Sequence, residues 1–525
     1  MKHAVPSGES LNQPALNAGS MAVFLQQFPL PLILAFGFVL RLYHVNAPII
    51  GIHAWRQSDT AAMARNYYEN GFRFLYPQID WGGSTPGYAE TEFPMYPYMV
   101  SLVYKLFGFS DSYGRLLSAI FGVMAIYFMY RLVRLVATNK VALWSAFFFA
   151  VLPLNVFYSR TFQPESLLIM SCVIGLYGFV HWSQSRQDRY LILSVIFVTL
   201  ASLLKVLPLV YVGLPLIFLA WQNFRGRMFL QWRLWAYAAV VLTATLLWYY
   251  HAHQIYQATG LSFGFWGGDT GRYAWRDLVG FKFWADILLR LAVRHFSIFG
   301  IVFLLVGLLR HDEGFPKAWF GVGMVSVLLT CGIAPTSSYV HEYYQLPLLI
   351  YAVPLMAKGW VDLVSGLFRF SKALAYSCLG LLITAGTIIY AIDYMGKEIP
   401  ARSTVYSLAQ QVQATTPLEA RIISATGGDP NLLYLSHRKG WLVSPYRVNL
   451  DYLQALAQEG AEYLVGSYQV VESYSRFTDE GQKAALRSLV DEHLEPRVHT
   501  EESYIADLAP LGHSSSISRQ FFQGV

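Results

Sequence analysis

The chain has 525 residues, of which 55% are hydrophobic and only 13% charged, against about 25% charged in ordinary soluble domains. That much apolar surface exceeds what one soluble core can bury, and it excludes a simple water-soluble enzyme. The net charge of +6 is dispersed in short clusters between apolar runs, which excludes a continuous nucleic-acid-binding face and reads instead as membrane topology.

Met1 to Ser20 is polar and carries no cleavable-signal pattern, so 1–21 is expected to be a cytoplasmic tail. Apolar runs at 22–45, 113–134, 141–159, 164–182, 190–206, 207–222, 233–252, 286–309, 317–335, 344–365 and 373–394 predict membrane spans. Most are near the ~20 residues a helix needs to cross the hydrocarbon core. The long run from Tyr190 to Gln222 is divided at Lys205 and Pro208, because the residue before a proline disfavours helix. With the N-terminus inside, the inner loops carry Arg131, Arg134 and Lys140; Arg186 and Arg189; Arg225, Arg227 and Arg233; Arg310 and Lys317; then Lys358, Arg369 and Lys372. Every inner loop is basic. The expected fold class is therefore a polytopic α-helical membrane protein with about eleven transmembrane helices and a C-terminal soluble α/β domain outside the cytoplasm. The cysteines, Cys172, Cys331 and Cys378, all fall inside apolar runs and read as small core residues.

Four segments face outward: the long loop 46–112, a turn at 159–163, a stretch near 253–285, and 335–343, with Lys205 at a further outer turn. The first belongs with the helical body, 22–395, and is too long and aromatic to be a plain connector. Within it, Asp59 to Gly71 predicts a helix and Pro94 to Phe107 an amphipathic helix lying at the membrane surface. Residues 396–525 are richer in charge and alternate short strands with helices. Strands are expected at 420–425, 462–465 and 504–508, and helices at 429–436, 450–459 and 482–493, giving a small α/β domain. No Walker A sequence or HExxH is present, so neither a nucleotide cradle nor a zinc site is signalled.

Each polar residue of the outer segments has a structural reading beside its chemical one. Asp59 and Glu92 stand where a carboxylate can cap a helix. Arg56 can pair with Asp59, Arg160 with Glu165, and Lys205 can reach the headgroups. His341 can be an ordinary loop residue. The aromatic stretch 263–284 suits a sugar platform and a membrane-interface belt equally.

Five stretches in order carry a resemblance. They are Asp59–Ala64 running to ENG at 69–71; Glu92-Phe93-Pro94-Met95-Tyr96 before the surface helix, with RLLSAIFGV (115–123) opening the next span; SRTFQPESLL (159–168); LLKVLPL (203–209); and EYYQLP (342–347). This set resembles glycosyltransferase family 39, which includes protein O-mannosyltransferases and aminoarabinose lipid A transferases and has the C-type glycosyltransferase fold. Three departures stand out. Arg56-Gln57 falls near the position of the family's adjacent acids, Phe93 replaces a frequent lysine, and Glu165 stands where Asp is common in the third motif.

The resemblance implies a glycosyltransferase of the bacterial inner membrane that moves a sugar from a polyprenyl-phosphate donor to an extracytoplasmic acceptor, whether lipid, glycan or protein hydroxyl, with inversion. Membrane lipids are expected partners, and nucleic acid is not. The chemistry needs a carboxylate to take the acceptor's proton and cations for the leaving phosphate. Asp59 is expected as base with Glu92 as a second acid, and Glu90 as substitute for Glu92. Arg56, Gln57, Arg160, Glu165, Lys205, His341, Tyr343 and Tyr344 are expected at the substrate. No cofactor is implied, and a divalent metal stays open. The alternative reading is a lipid or solute transporter, which would place ionisable groups at mid-membrane.

Overall fold

A computed structural model describes residues 30–263, 280–310, 312, 314–472 and 475–512. The tail 1–21, the start of the first expected span and most of the aromatic stretch 263–284 lie outside the described residues.

The helical body begins with α1 (Leu30–Arg41). The long segment 46–112 then supplies α2 (Ala54–Asn70) and α3 (Met95–Phe107). Next come α4 (Asp111–Val136), α5 (Asn139–Val151) and α6 (Pro153–Tyr158). The expected span 141–159 is thus two helices, because Pro153 starts a new one. α7 (Glu165–Ser185) is buried almost throughout, while α8 (Asp188–Leu204) packs along it and ends at Lys205. α9 (Pro208–Tyr211), α10 (Gly213–Phe224) and α11 (Trp232–Thr259) follow, then α12 (Phe281–Arg290) and α13 (Gly300–Leu309). α14 (Lys317–Ile333), α15 (Pro335–Val340), α16 (Leu348–Val364) and α17 (Ser371–Ile389) complete the body.

Three helices among the described residues, at 111–136, 165–185 and 371–397, are long and apolar enough to cross a membrane unaided. Two more spans arise if each bent pair counts as one, and α1, α5 and α14 are shorter apolar helices. The outward faces are apolar: Phe36, Ile192, Ile196, Leu246, Leu247, Leu305 and Leu329 are exposed. Side chains of that kind in continuous rows fit lipid rather than water, and the protein is a membrane protein. The expected single span 286–309 is corrected: the chain bends by 106° between Phe281–His295 and Gly300–Leu309, where Ser297 and Ile298 take positive φ values of 48° and 61°.

The C-terminal region adds α18 (Thr404–Thr415), β1 (Arg421–Ala425), α19 (Asn431–Ser436), β2 (Lys439–Leu442), α20 (Leu450–Gln458) and β3 (Tyr463–Ser467). A small hairpin, β4 (Val470–Glu472) with β5 (Ser475–Arg476), precedes α21 (Glu480–His493), β6 (Glu495–His499) and β7 (Ser503–Asp507). The sheet runs β2-β1-β3-β7-β6, parallel across β2, β1 and β3 and antiparallel at the other edge. Its two faces follow the period-two rule. Ile422, Tyr463, Val465 and Ile505 join the core shared with the helical body, whereas Ile423, Leu464 and Ala506 pack into the domain's own core. The sheet is thereby seated on the membrane body by one face.

Candidate active site

α2 begins earlier than its sequence pattern suggests, at Ala54, with His53 just before it in the left-handed region (φ 51°, ψ 34°). Asp59 therefore lies inside the helix, and the capping reading for it is corrected. This register turns Arg56 toward the start of α7 and the end of α8. Arg56 pairs with Glu92, and its Nε stands 3.7 Å from Glu165. Lys205 Nζ closes the group at 2.8 Å from the same Glu165 carboxylate. Two cations and two carboxylates are thus interleaved.

Backbone contacts bring these segments together. Phe93 N donates to the Leu203 carbonyl at 3.2 Å, which fastens the Glu92 segment beside Lys205. Glu165 opens α7, where the helix dipole favours a carboxylate. Rings form the wall: the Lys205 ammonium lies 4.2 Å from the Tyr343 centroid and 4.7 Å from that of Tyr344, and Arg56 lies 5.5 Å from Tyr343 and 5.2 Å from Phe263. His53 meets Tyr343 at 5.1 Å and His341 at 5.2 Å, and His341 stacks on Tyr343. A narrow cavity beside the cluster is lined by Arg56, Thr60, Thr91, Glu92, Phe93 and Phe263.

The electrostatics separate the roles. Burial opposes the Arg56 charge, but Glu92, Tyr343 and Glu165 outweigh it and hold the guanidinium firmly protonated. Burial pushes the His53 imidazole down to about 4, with Arg56 and Arg290 adding to the effect against Glu342 and Glu165. His341 is likewise held neutral, by burial and then by His53, Arg56 and Lys205. Of the two carboxylates, Glu165 is 1% exposed in its side chain and Glu92 20%, so Glu92 is the more accessible of the two.

Behind the rings lies a second ionic group. Glu342 pairs with Arg294 and accepts from the Tyr158 and Tyr394 hydroxyls, each at 3.0 Å. Arg290 holds the turn at 338–339 by donating to the Ser338 carbonyl at 3.0 Å and the Tyr339 carbonyl at 2.6 Å.

The described residues include no group of three or more His, Cys, Asp or Glu side chains able to hold a metal.

A protein-family model described as dolichyl-phosphate-mannose-protein mannosyltransferase matches residues 89–251, a segment that contains Glu92, Glu165 and Lys205. Among solved structures, ArnT from Cupriavidus metallidurans in the apo state aligns with 92% of this chain and 99% of its own at 12% identity, with a TM-score of 0.64. The fold is that of ArnT. ArnT from the same organism bound to undecaprenyl phosphate aligns over the same shares at 12% identity and a TM-score of 0.61. The Archaeoglobus fulgidus oligosaccharyltransferase aligns with 84% of this chain and 70% of its own, at 13% identity and a TM-score of 0.55. A comparison with curated protein sequences gives no match. The matching family and the fold neighbours are glycosyltransferases, which does not favour the transporter reading.

Of the residues expected from sequence, the fold gathers Arg56, Glu92, Glu165, Lys205, His341, Tyr343 and Tyr344. The others are placed differently. Asp59 Oδ1 accepts from Trp81 Nε1 at 3.0 Å, and burial, reinforced by Asp80 and Asp429, raises its carboxyl well above the usual range. Glu90 accepts from Ser262 and, through its backbone, pairs with the 261–263 segment. Gln57 ties Ile52 O, at 3.0 Å, to Phe162 N, at 3.1 Å. Arg160 pairs with Glu398 at 2.6 Å and with the Tyr390 hydroxyl, so its expected pairing with Glu165 is corrected. Lys205 is buried against Glu165 and does not reach for headgroups. His53 and Glu342 were not among the expected residues. A histidine before the helix and an acid inside EYYQLP were the only signals.

Proposed function

We propose that this chain is a membrane glycosyltransferase that takes a sugar from a polyprenyl-phosphate donor at the outer face of a bacterial inner membrane. In this reading the chain has about eleven spans, a cytoplasmic N-terminus and an extracytoplasmic C-terminal domain from residue 396. The acceptor is a lipid, glycan or protein hydroxyl on the same side. The observation that carries the reading is the interleaved Arg56–Glu92 and Lys205–Glu165 pairs, walled by Tyr343 and Tyr344 at the outer ends of α7 and α8. Cations positioned by neighbouring carboxylates suit a phosphate that gains charge as it leaves. Binding of undecaprenyl phosphate by the similarly folded ArnT supports the same assignment.

The roles follow from reach. Arg56 and Lys205 receive the donor phosphate. Once a phosphate oxygen takes over the guanidinium, Glu92 is released from its ion pair and takes the proton of the acceptor hydroxyl. The acceptor oxygen forms its bond to the anomeric carbon as the carbon–oxygen bond to phosphate breaks. Polyprenyl phosphate departs with that electron pair, and the configuration inverts. Glu165 keeps both cations in place. Asp59, expected as base, has its carboxyl committed to Trp81, and Glu92 takes that role.

The test uses the full chain in lipid nanodiscs with undecaprenyl phosphate as probe. Wild type should bind it, and Arg56→Ala should weaken binding about 10- to 100-fold, the worth of a charge-assisted contact. A wild-type protein indifferent to the probe, or an Arg56→Ala variant with unchanged affinity, removes the proposal.

A further inference from the structure

Residues 49–58 form the elbow that carries His53 and Arg56, and a single side chain from the C-terminal domain holds both of its ends. Asn431, on the first turn of α19, is 1% exposed. Its Nδ2 donates to the Ile49 carbonyl at 2.8 Å and to the Ser58 hydroxyl at 2.6 Å. An amide nitrogen has two hydrogens, and these two bonds use both. The Asn431 backbone N–H donates to the Asp429 carboxylate at 2.9 Å, so the residue is itself anchored before it reaches the elbow.

The elbow needs such a hold. His53 occupies the left-handed region without any side-chain capping bond, a conformation that persists only where its surroundings impose it. Gln57 braces the inner side through Ile52 and Phe162. Asn431 is the corresponding brace from outside the membrane body. Around it the same domain grips α2 and the loop: Arg65 reaches the Tyr434 carbonyl at 3.3 Å. Gly83 N donates to Gly440 O at 2.8 Å, and Gly440 N donates to Asp80 O at 3.0 Å.

We infer that Asn431 is a positioning residue for the site, through which the C-terminal domain sets the path of the elbow and hence the placement of Arg56 against Glu92 and Glu165. The inference rests on the phosphate-binding reading above, and its experiment has an arm independent of that reading.

In full-length protein in nanodiscs, hydrogen exchange of the amides of 50–58 and affinity for undecaprenyl phosphate are measured together for four variants. Asn431→Ala removes both bonds. Asn431→Asp keeps an acceptor for Ser58 but loses the donor to Ile49. Ser58→Ala removes one partner and serves where Asn431→Ala does not fold. Leu453→Ala weakens the C-terminal domain in its own core, away from the elbow.

Asn431→Ala should speed exchange of 50–58 and weaken binding, each by about 30-fold, the net worth of roughly two buried hydrogen bonds. Ser58→Ala should give a smaller change of the same sign, and Asn431→Asp, which sets a buried carboxylate against the Ile49 carbonyl beside Asp429, a change at least as large as Asn431→Ala. Leu453→Ala should lower the melting temperature and leave both readouts alone below it. Unchanged exchange in all three elbow variants overturns the inference, as does an equal acceleration in Leu453→Ala. If wild type fails to bind the probe, the functional reading falls, and the exchange arm still decides the positioning claim.

Discussion

Glu92 and Asp59 show how burial sorts two acids of one loop. Glu92 faces the cavity with Arg56 as partner. Glu92→Gln keeps the shape and removes the proton acceptor. In a transfer assay with a polyprenyl-phosphate sugar it should lose about 100-fold or more in turnover, as expected for a general base, while retaining affinity for undecaprenyl phosphate. Asp59 is the reverse. Its environment favours the uncharged acid, and an amide oxygen can still accept from Trp81, so Asp59→Asn should turn over within about threefold of wild type, less than one conserved hydrogen bond is worth. Arg56, Lys205 and Glu165 are legible in the sequence because each sits in a distinctive local pattern at a helix end. Only the helix start differs at Asp59: reading the helix from Asp59 hides the turn from Ala54 that faces its carboxyl toward Trp81. His53 and Glu342 escaped because their importance lies in neighbours contributed by separate segments.

Helices α13 and α16 touch through their backbones. A Cβ on Gly307 would stand 2.0 Å from Leu355 O, and one on Gly359 would stand 1.9 Å from Phe303 O. Small residues permit such close packing where lipid gives helices no hydrophobic reason to associate. Gly359→Ala should force the pair apart and cost about 1–3 kcal/mol, the usual penalty for overpacking. Thermal unfolding in nanodiscs checks this, with Gly321→Ala, where nothing stands within 4 Å, as control. Apolar runs made most of the helices readable. The bend at 295–300 was not, because no proline marks it and the turn is imposed by packing. In the C-terminal domain, β1, β3 and β7 were readable as short apolar runs. The edge strands β2 and β6 were not, since β6 is mostly exposed and lacks an apolar face.

For the whole molecule, buried neutral histidines tie stability to pH. His53 and His437 are each pushed down to about 4 by burial, above all, from about 6.5 in an unfolded chain. Between those values the unfolded chain binds more protons than the folded one, so stability falls as pH drops from about 6.5 toward 4. Asp59 works the other way: with its folded value raised, its contribution is present at low pH and lost as pH rises. The histidine part is read by difference: between pH 7 and pH 4.5 the melting temperature of the His53→Gln, His437→Gln double variant should drop less than that of wild type. An unaltered slope in the double variant would assign the effect to other groups.

The union of the first outer loop with the C-terminal sheet has a consequence for biogenesis. Arg65 and Tyr434 are 369 positions apart along the chain. At ribosomal speeds that interval takes roughly 20–70 s. Through that time the nascent loop lacks its brace from the C-terminal domain, and a translation product cut short before α19 would never complete the Asn431 hold on the elbow.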